Sequence, residues 1–222
     1  MKVRILGKTE NPLDFIGACV GGCWGSPVDN GEKNIKRAKE CISSGHGRVM
    51  EYADITMELS GVSARVMREL YTHVIGTTRT QESTRYVNCS HFSYYTPQSV
   101  LDSEEALKVY DDIMLNIMKA YDELIALGVP KEDVANILPL GMDTKVVLKI
   151  NVRALEHLAN MRLCNRAYKE FRDLIKLMKK EIASINEEWN WIADTLMVPN
   201  CVKMGYCQEK YCCGLMKKKE EK

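Results

Sequence analysis

The chain has 222 residues, 45% of them hydrophobic, so it can bury a sizeable core, and its composition excludes fibrous, collagenous and disordered classes. Lysine plus arginine (31) balances aspartate plus glutamate (30), which argues against a global basic field for nucleic acid or an anionic membrane; anion recognition has to be local. No run approaches the roughly 18 apolar residues that span a bilayer, and "MKVRILGKTE" has no apolar signal region, so the expectation is a soluble, cytoplasmic protein whose nine cysteines are mostly reduced thiols.

"KVRI" predicts a short first strand, and "EKNIKRAKECISSGHG" predicts a helix stopping at Gly45 as its C′ glycine. Over 53–60, "ADITMELS", polar and apolar residues alternate strictly, the period of a half-buried strand. Ser63 then reads as an N-cap, with Val66, Met67, Leu70 and Val74 as one apolar stripe and Arg65, Arg68, Glu69 and Thr72 opposite. The segment 71–86, "YTHVIGTTRTQESTRY", reads as a polar loop, followed by extended "HFSYYTPQ". Ser103 begins a long helix whose stripe of Leu107, Tyr110, Met114, Ile117, Tyr121 and Leu124 suits a core or a subunit contact. "GVP" ends it, "KEDVANI" predicts a short helix and "TKVVLKI" a strand. From Asn151, a candidate cap, to about Trp191 the sequence stays helix-compatible, with internal breaks allowed, and the closing "KKKEEK" reads as a solvated, frayed end. The fold class is α+β, with one domain over 1–198 and a cysteine-rich tail over 199–222.

Three polar constellations are candidates for chemistry. In 71–86, hydroxyls, backbone N–H groups, Arg79 and Arg85 suit a phosphorylated ligand, although an ordinary surface loop has the same composition. In "NVRALEHLANMRLCNRAYKEF", Arg153 and His157 share a face near a helix start, which favours an anion, whereas salt bridging to Glu156 and Glu170 is the plainer alternative. In "SGHGRVMEY", His46 and Glu51 flank the turn into the alternating strand. The tail cysteines Cys201, Cys207, Cys212 and Cys213 are spaced C-x5-C-x4-C-C, which departs from paired C-x2–4-C zinc motifs; free thiols and no metal are expected. No phosphate loop, dinucleotide fingerprint, H-E-x-x-H or nucleophile elbow occurs, and no cysteine has a nucleophile's setting.

Taken in order, these segments resemble the flavin-dependent thymidylate synthases over about residues 40–172. That family's signature runs from R-H-R to S-x-R-Y; His73 matches its histidine, and Ser83, Thr84, Arg85 and Tyr86 match its end. "SGHGRVMEY" resembles its S-G-H-x-x-x-x-E-H segment. Leu138, Pro139, Thr144, Asn151, Arg153, Leu155 and Arg162 match its L-P…T…N-x-R-x-L…R segment. Thr72 and Val74 replace the two arginines of R-H-R, and Ala135 stands where the family has an arginine that generally holds nucleotide phosphate. Arg79 and Gln81 are candidates to replace the R-H-R contacts, and Lys145 the phosphate charge.

The resemblance implies a sheet, antiparallel or mixed, flanked by long helices, and a homotetramer whose active sites are shared between chains. The implied reaction moves a methylene from 5,10-methylenetetrahydrofolate to C5 of dUMP, with FAD as cofactor and NADPH as reductant, and no cysteine attacks the pyrimidine. By position, Ser83, Thr84 and Arg85 would hold dUMP, and Arg162 would face the uracil ring as the catalytic cation. His73, Arg79, Gln81, Asn151, Arg153 and His157 would contact FAD, and His46 would lie near flavin and folate. Two other readings stay open: the same scaffold acting on another pyrimidine nucleotide, and a non-enzymatic protein whose cysteine tail carries zinc and contacts nucleic acid.

Overall fold

The computed structural model describes residues 1–219. In chain order the strands are β1 (Lys2–Lys8), β2 (Asp54–Ser63), β3 (Thr77–Gln81) and β4 (Asp143–Asn151). The helices are α1 (Pro12–Gly21), α2 (Gly31–Ser43), α3 (Ala64–Leu70), α4 (Gln98–Leu101), α5 (Glu104–Ala126), α6 (Lys131–Val134), α7 (Val152–Arg162), α8 (Lys169–Ala183), α9 (Glu187–Leu196) and α10 (Asn200–Met204). The strands form one antiparallel sheet in the order β1-β2-β4-β3. An α+β fold results, as expected from the sequence.

Two compact units are present. The first comprises Met1–Lys2, Leu59–Thr72 and Arg79–Val147; the second comprises Val3–Glu58, His73–Thr78 and the chain from Leu148 onward. In the first, the α5 stripe does pack inward: Met114 and Tyr121 join Cys89, Phe92, Val134 and Met142 in a buried cluster. Ser63 and Ser103 cap α3 and α5 by accepting from the amides of Val66 (3.3 Å) and Ala106 (3.2 Å). The extended 91–98 segment is pinned where the Tyr94 hydroxyl donates to Asp111 (2.8 Å) and that of Tyr110 to the Tyr95 carbonyl (3.0 Å).

In the second unit the core is built by α1, α2, α8 and α9, with Ile16, Phe171, Met178, Trp189 and Ile192 fully buried. Glu188 accepts from the Leu13 (2.6 Å) and Asp14 (3.1 Å) amides, placing a carboxylate on the otherwise unpaired N–H groups that open α1. The Trp189 indole donates to the Thr9 carbonyl (2.9 Å), so burying that large ring leaves no orphan N–H. Gly45, at φ 84°, ends the α2 segment in the left-handed region, as its position after the helix predicted.

Several elements differ from the sequence reading. Helix α1 was not expected: 12–21 is apolar on nearly every side, so it has no stripe to betray it, and its helicity is enforced by packing on α2. The chain over 77–81 is strand β3 rather than a loop; its threonines suit extended backbone, and as an edge strand it needs no apolar face. Val74 does not extend the α3 stripe: the helix ends at Leu70 and Val74 is 60% exposed. The helical run after Asn151 breaks into α7, α8 and α9. The closing lysines are tied rather than frayed, since the Cys207 amide donates to Lys217 (2.8 Å) and the Lys219 amide to Cys207 (3.2 Å); residues 220–222 of that run lie outside the described residues.

One glycine is required by close approach. A Cβ on Gly17 would lie 1.9 Å from the Asn34 carbonyl oxygen, so α1 and α2 could no longer touch there. Gly17→Ala is therefore expected to destabilise the protein by about 3 kcal/mol or more, read as a lowered thermal midpoint; an unchanged midpoint would contradict the α1–α2 contact.

Candidate active site

In the second unit the polar positions gather around two turns. Gly76, at φ 72°, makes the turn after His73, and its carbonyl accepts from the Asn151 amide (3.0 Å). A Cβ there would meet the Asn151 side chain at 2.6 Å, so this turn admits only glycine. Asn151 caps α7, its side-chain oxygen accepting from the Ala154 amide (2.9 Å). One helix length later, the Arg162 Nε donates to His73 Nε2 (3.2 Å), which fixes that imidazole nitrogen as an acceptor. The guanidinium also lies 4.8 Å from the ring centre of buried Phe171, and the His73 and His157 rings are 5.7 Å apart. The structure thus joins His73 and His157, which the resemblance assigns to FAD, with Arg162, which it assigns to the uracil ring.

Arg153, on the exposed side of α7, pairs with Glu51 (2.5 Å). Its guanidinium also comes within 3.5 Å of where a Gly47 Cβ would be, so the "SGHGRVMEY" turn and the start of α7 are neighbours. His46 lies apart from this cluster, exposed, in a hollow of about 320 Å³ with Cys23, Trp24 and Arg48.

The first unit holds a cleft of about 480 Å³ lined by Gln81, Ser83, Thr84, Ala135, Thr144 and Lys145, among others. Gln81 donates to the Thr144 hydroxyl (3.2 Å), and Lys145 pairs with Glu82 at 2.9 Å, both groups half-exposed. Ser83 accepts from the Arg85 amide (3.3 Å), shaping the turn that points the Ser-Thr pair into the cleft. Arg85 itself is not among the lining residues; it pairs with Glu132 at 2.8 Å. Arg79 is also engaged elsewhere: it donates to the Leu70 and Tyr71 carbonyls (3.4 and 3.2 Å) and stacks 4.5 Å over the Tyr71 ring, which satisfies the C-terminal end of α3.

Sequence reading missed two carboxylates on the cleft wall. Glu82 carries no motif signal because its partner is 63 residues away. Asp143 presents one carboxylate oxygen buried without a partner among the described residues, and burial pushes its pKa up, against the lowering field of the N-terminal ammonium.

FAD, the cofactor that the resemblance implies, needs donors for its phosphates and ring edges beside a surface on which a flat ring can lie. The second unit supplies the imidazoles of His73 and His157, the Asn151 amide and the guanidinium of Arg153, next to a glycine-only turn that leaves the backbone open to close approach. That donor set fits the group.

A model of the thymidylate synthase complementing protein family matches residues 4–186. Among similar proteins, a flavin-dependent thymidylate synthase of Thermococcus onnurineus is 30% identical over 220 residues, covering 94% of this chain and 89% of that protein. One from Pyrococcus abyssi is 30% identical over 221 residues, covering 95% and 90%. The fold is similar to that of Helicobacter pylori thymidylate synthase X crystallised with FAD and dUMP (TM-score 0.71, 20% identity, 89% of this chain and 99% of that one). It is also similar to that of a UMP/dUMP methylase, PolB, from Streptomyces cacaoi bound with 5-Br dUMP (TM-score 0.73, 16% identity, 88% and 95%). A match over most of the chain, with relatives covered along nearly their full length, establishes that this chain belongs to the flavin-dependent thymidylate synthase family.

Proposed function

We propose that the chain is an FAD-dependent thymidylate synthase that methylates dUMP at C5 to give dTMP, with 5,10-methylenetetrahydrofolate as carbon donor and NADPH as reductant. The observation that carries this reading is the cluster of His73, His157 and Arg162 in a chain of this family, a fixed guanidinium beside paired imidazoles. FAD, when bound, supplies the redox chemistry that passes reducing equivalents to the transferred carbon.

The residues of the chain bind, orient and polarise. Arg162, held in plane by Phe171 and oriented by His73, favours negative charge developing on the pyrimidine ring. Asn151, Arg153 and His157 provide flavin contacts, and His46 a surface near flavin and folate. Gln81 is assigned to the flavin side, whereas Arg79 holds the end of α3 through the Leu70 and Tyr71 carbonyls. In the first unit Ser83 and Thr84 hold the nucleotide with Arg85 near its phosphate, and Lys145 supplies the cation that Ala135 lacks. Residues 1–198 act as the catalytic domain and 199–222 as an appended tail. The chain works as a homotetramer in the cytoplasm with sites shared between copies; the exposed apolar positions Val109, Ile113 and Leu115 on α5 support an assembly surface. Among the described residues no helix is long and apolar enough to cross a membrane.

Ala135 on the cleft wall favours one second reading, a different pyrimidine nucleotide as substrate. The test is an anaerobic assay with 5,10-methylenetetrahydrofolate and NADPH, comparing dUMP with UMP. Conversion of dUMP to dTMP is expected; methylation of UMP in its place establishes the second reading, and no methylation of either removes both. The purified protein is also expected to keep a flavin absorption spectrum after excess FAD is removed, and a colourless protein that takes up no FAD contradicts the cofactor assignment.

A further inference from the structure

The cysteines at the end of the chain are not scattered. Helix α10 stops at Gly205, whose φ of 79° turns the backbone so that Cys207 can pair with 217–219 through two backbone hydrogen bonds and close a loop. That loop faces the turn after α7, and together they line a cavity of about 330 Å³ into which Cys164, Cys201, Cys207 and Cys213 all open. Only Cys212 of the tail is turned aside, its thiol donating to the Met216 carbonyl at 3.1 Å.

The surroundings of these sulfurs are those of thiolate ligands. The Asn165 side chain donates to Cys213 at 3.6 Å. Such N–H···S bonds disperse charge on a ligating sulfur and orient it. Arg166, another lining residue, adds a cation, held by Glu209 at 2.6 Å.

A single zinc ion, with Zn–S bonds of about 2.3 Å, requires its four sulfurs within about 4 Å of one another. Among the described residues no group of three or more His, Cys, Asp or Glu is arranged to hold a single metal ion. The four cysteines line one cavity of about 330 Å³ instead. Four cysteines lining one cavity with the Asn165 amide and the Arg166 cation match a cubane iron–sulfur cluster, which takes one thiolate at each iron corner and whose net negative charge Arg166 offsets.

We propose that Cys164, Cys201, Cys207 and Cys213 ligate an iron–sulfur cluster that fastens the tail loop to the turn after α7. Ligation displaces the four thiol protons and changes no oxidation state of the protein. The full chain, purified without oxygen and reconstituted with equal amounts of ferrous and ferric iron and with sulfide, is analysed for iron, acid-labile sulfide and zinc. About four iron and four sulfide per chain are expected, with a low-temperature EPR signal after dithionite reduction that no flavin radical produces. Cys207→Ser and Cys213→Ser should lose most of the iron while keeping FAD, and Cys212→Ser should keep both. Zinc at one per chain without sulfide overturns the proposal, as does a wild-type chain that takes up no metal. Equal iron loss from Cys212→Ser and Cys207→Ser overturns the ligand assignment.

Discussion

Arg162→Ala is expected to lower dTMP formation by about 100- to 1,000-fold, the usual cost of removing one preorganised charge-stabilising donor, while FAD stays bound. The side chain leaves α7 at its last turn, lies over Phe171 at 4.8 Å and donates to His73 at 3.2 Å, so its position is fixed before any substrate arrives. Preorganisation is why the loss falls on turnover rather than on binding. Arg162→Lys keeps the charge but cannot stack its plane on a ring or donate from Nε in the same direction, so it should recover little of the rate. Single-turnover kinetics with the flavin spectrum recorded on the same sample separate the two effects. Wild-type turnover in Arg162→Ala would remove the assigned role, and loss of flavin in Arg162→Lys would reassign the residue to cofactor binding.

The second large effect is expected at Lys145. Its ammonium is 2.9 Å from Glu82 on the wall of the first unit's cleft, and a nucleotide phosphate, carrying more charge than one carboxylate, competes for it. A charge-assisted hydrogen bond contributes about 1.5–3 kcal/mol, so Lys145→Ala should weaken dUMP binding by about 10- to 100-fold. Glu82→Gln should tighten it, because the competing carboxylate is gone. Deoxyuridine, which has no phosphate, should bind both variants as it binds the wild type. Titration calorimetry with the two ligands distinguishes a phosphate contact from a general loss of cleft shape; unchanged dUMP affinity in Lys145→Ala would refute the assignment.

Ala135 gives these two experiments a common meaning. Where an arginine is absent from the cleft wall, phosphate binding depends on whichever cation lies across the space, and the residue that fills that need cannot be matched by position in a motif. Arg79 illustrates the reverse. Its place in a polar stretch suggested a ligand, but its guanidinium is occupied by the Leu70 and Tyr71 carbonyls and the Tyr71 ring. A motif reports which residue type is present; the neighbours decide what remains of its bonding capacity.

Where the local signal is strong, sequence alone was sufficient. Ser63, Ser103 and Asn151 could be read as caps because a short hydroxyl or amide before a periodic apolar run is the cheapest partner for the first free N–H groups, and all three accept the expected bond. The alternation over 53–60 and the spacing from Leu107 to Leu124 likewise fix which face is buried. Three ordered motifs fixed the family. Tertiary structure alone decided the rest, because the deciding partners are distant in the chain. Helix α1 has no amphipathic contrast and is set by Asn34 and Glu188, and β3 has no apolar face and is set by β4. Phe171 beneath Arg162, Glu82 beside Lys145, and four cysteines around one cavity are likewise matters of packing, since side-chain geometry across tens of residues is fixed only once the core has closed.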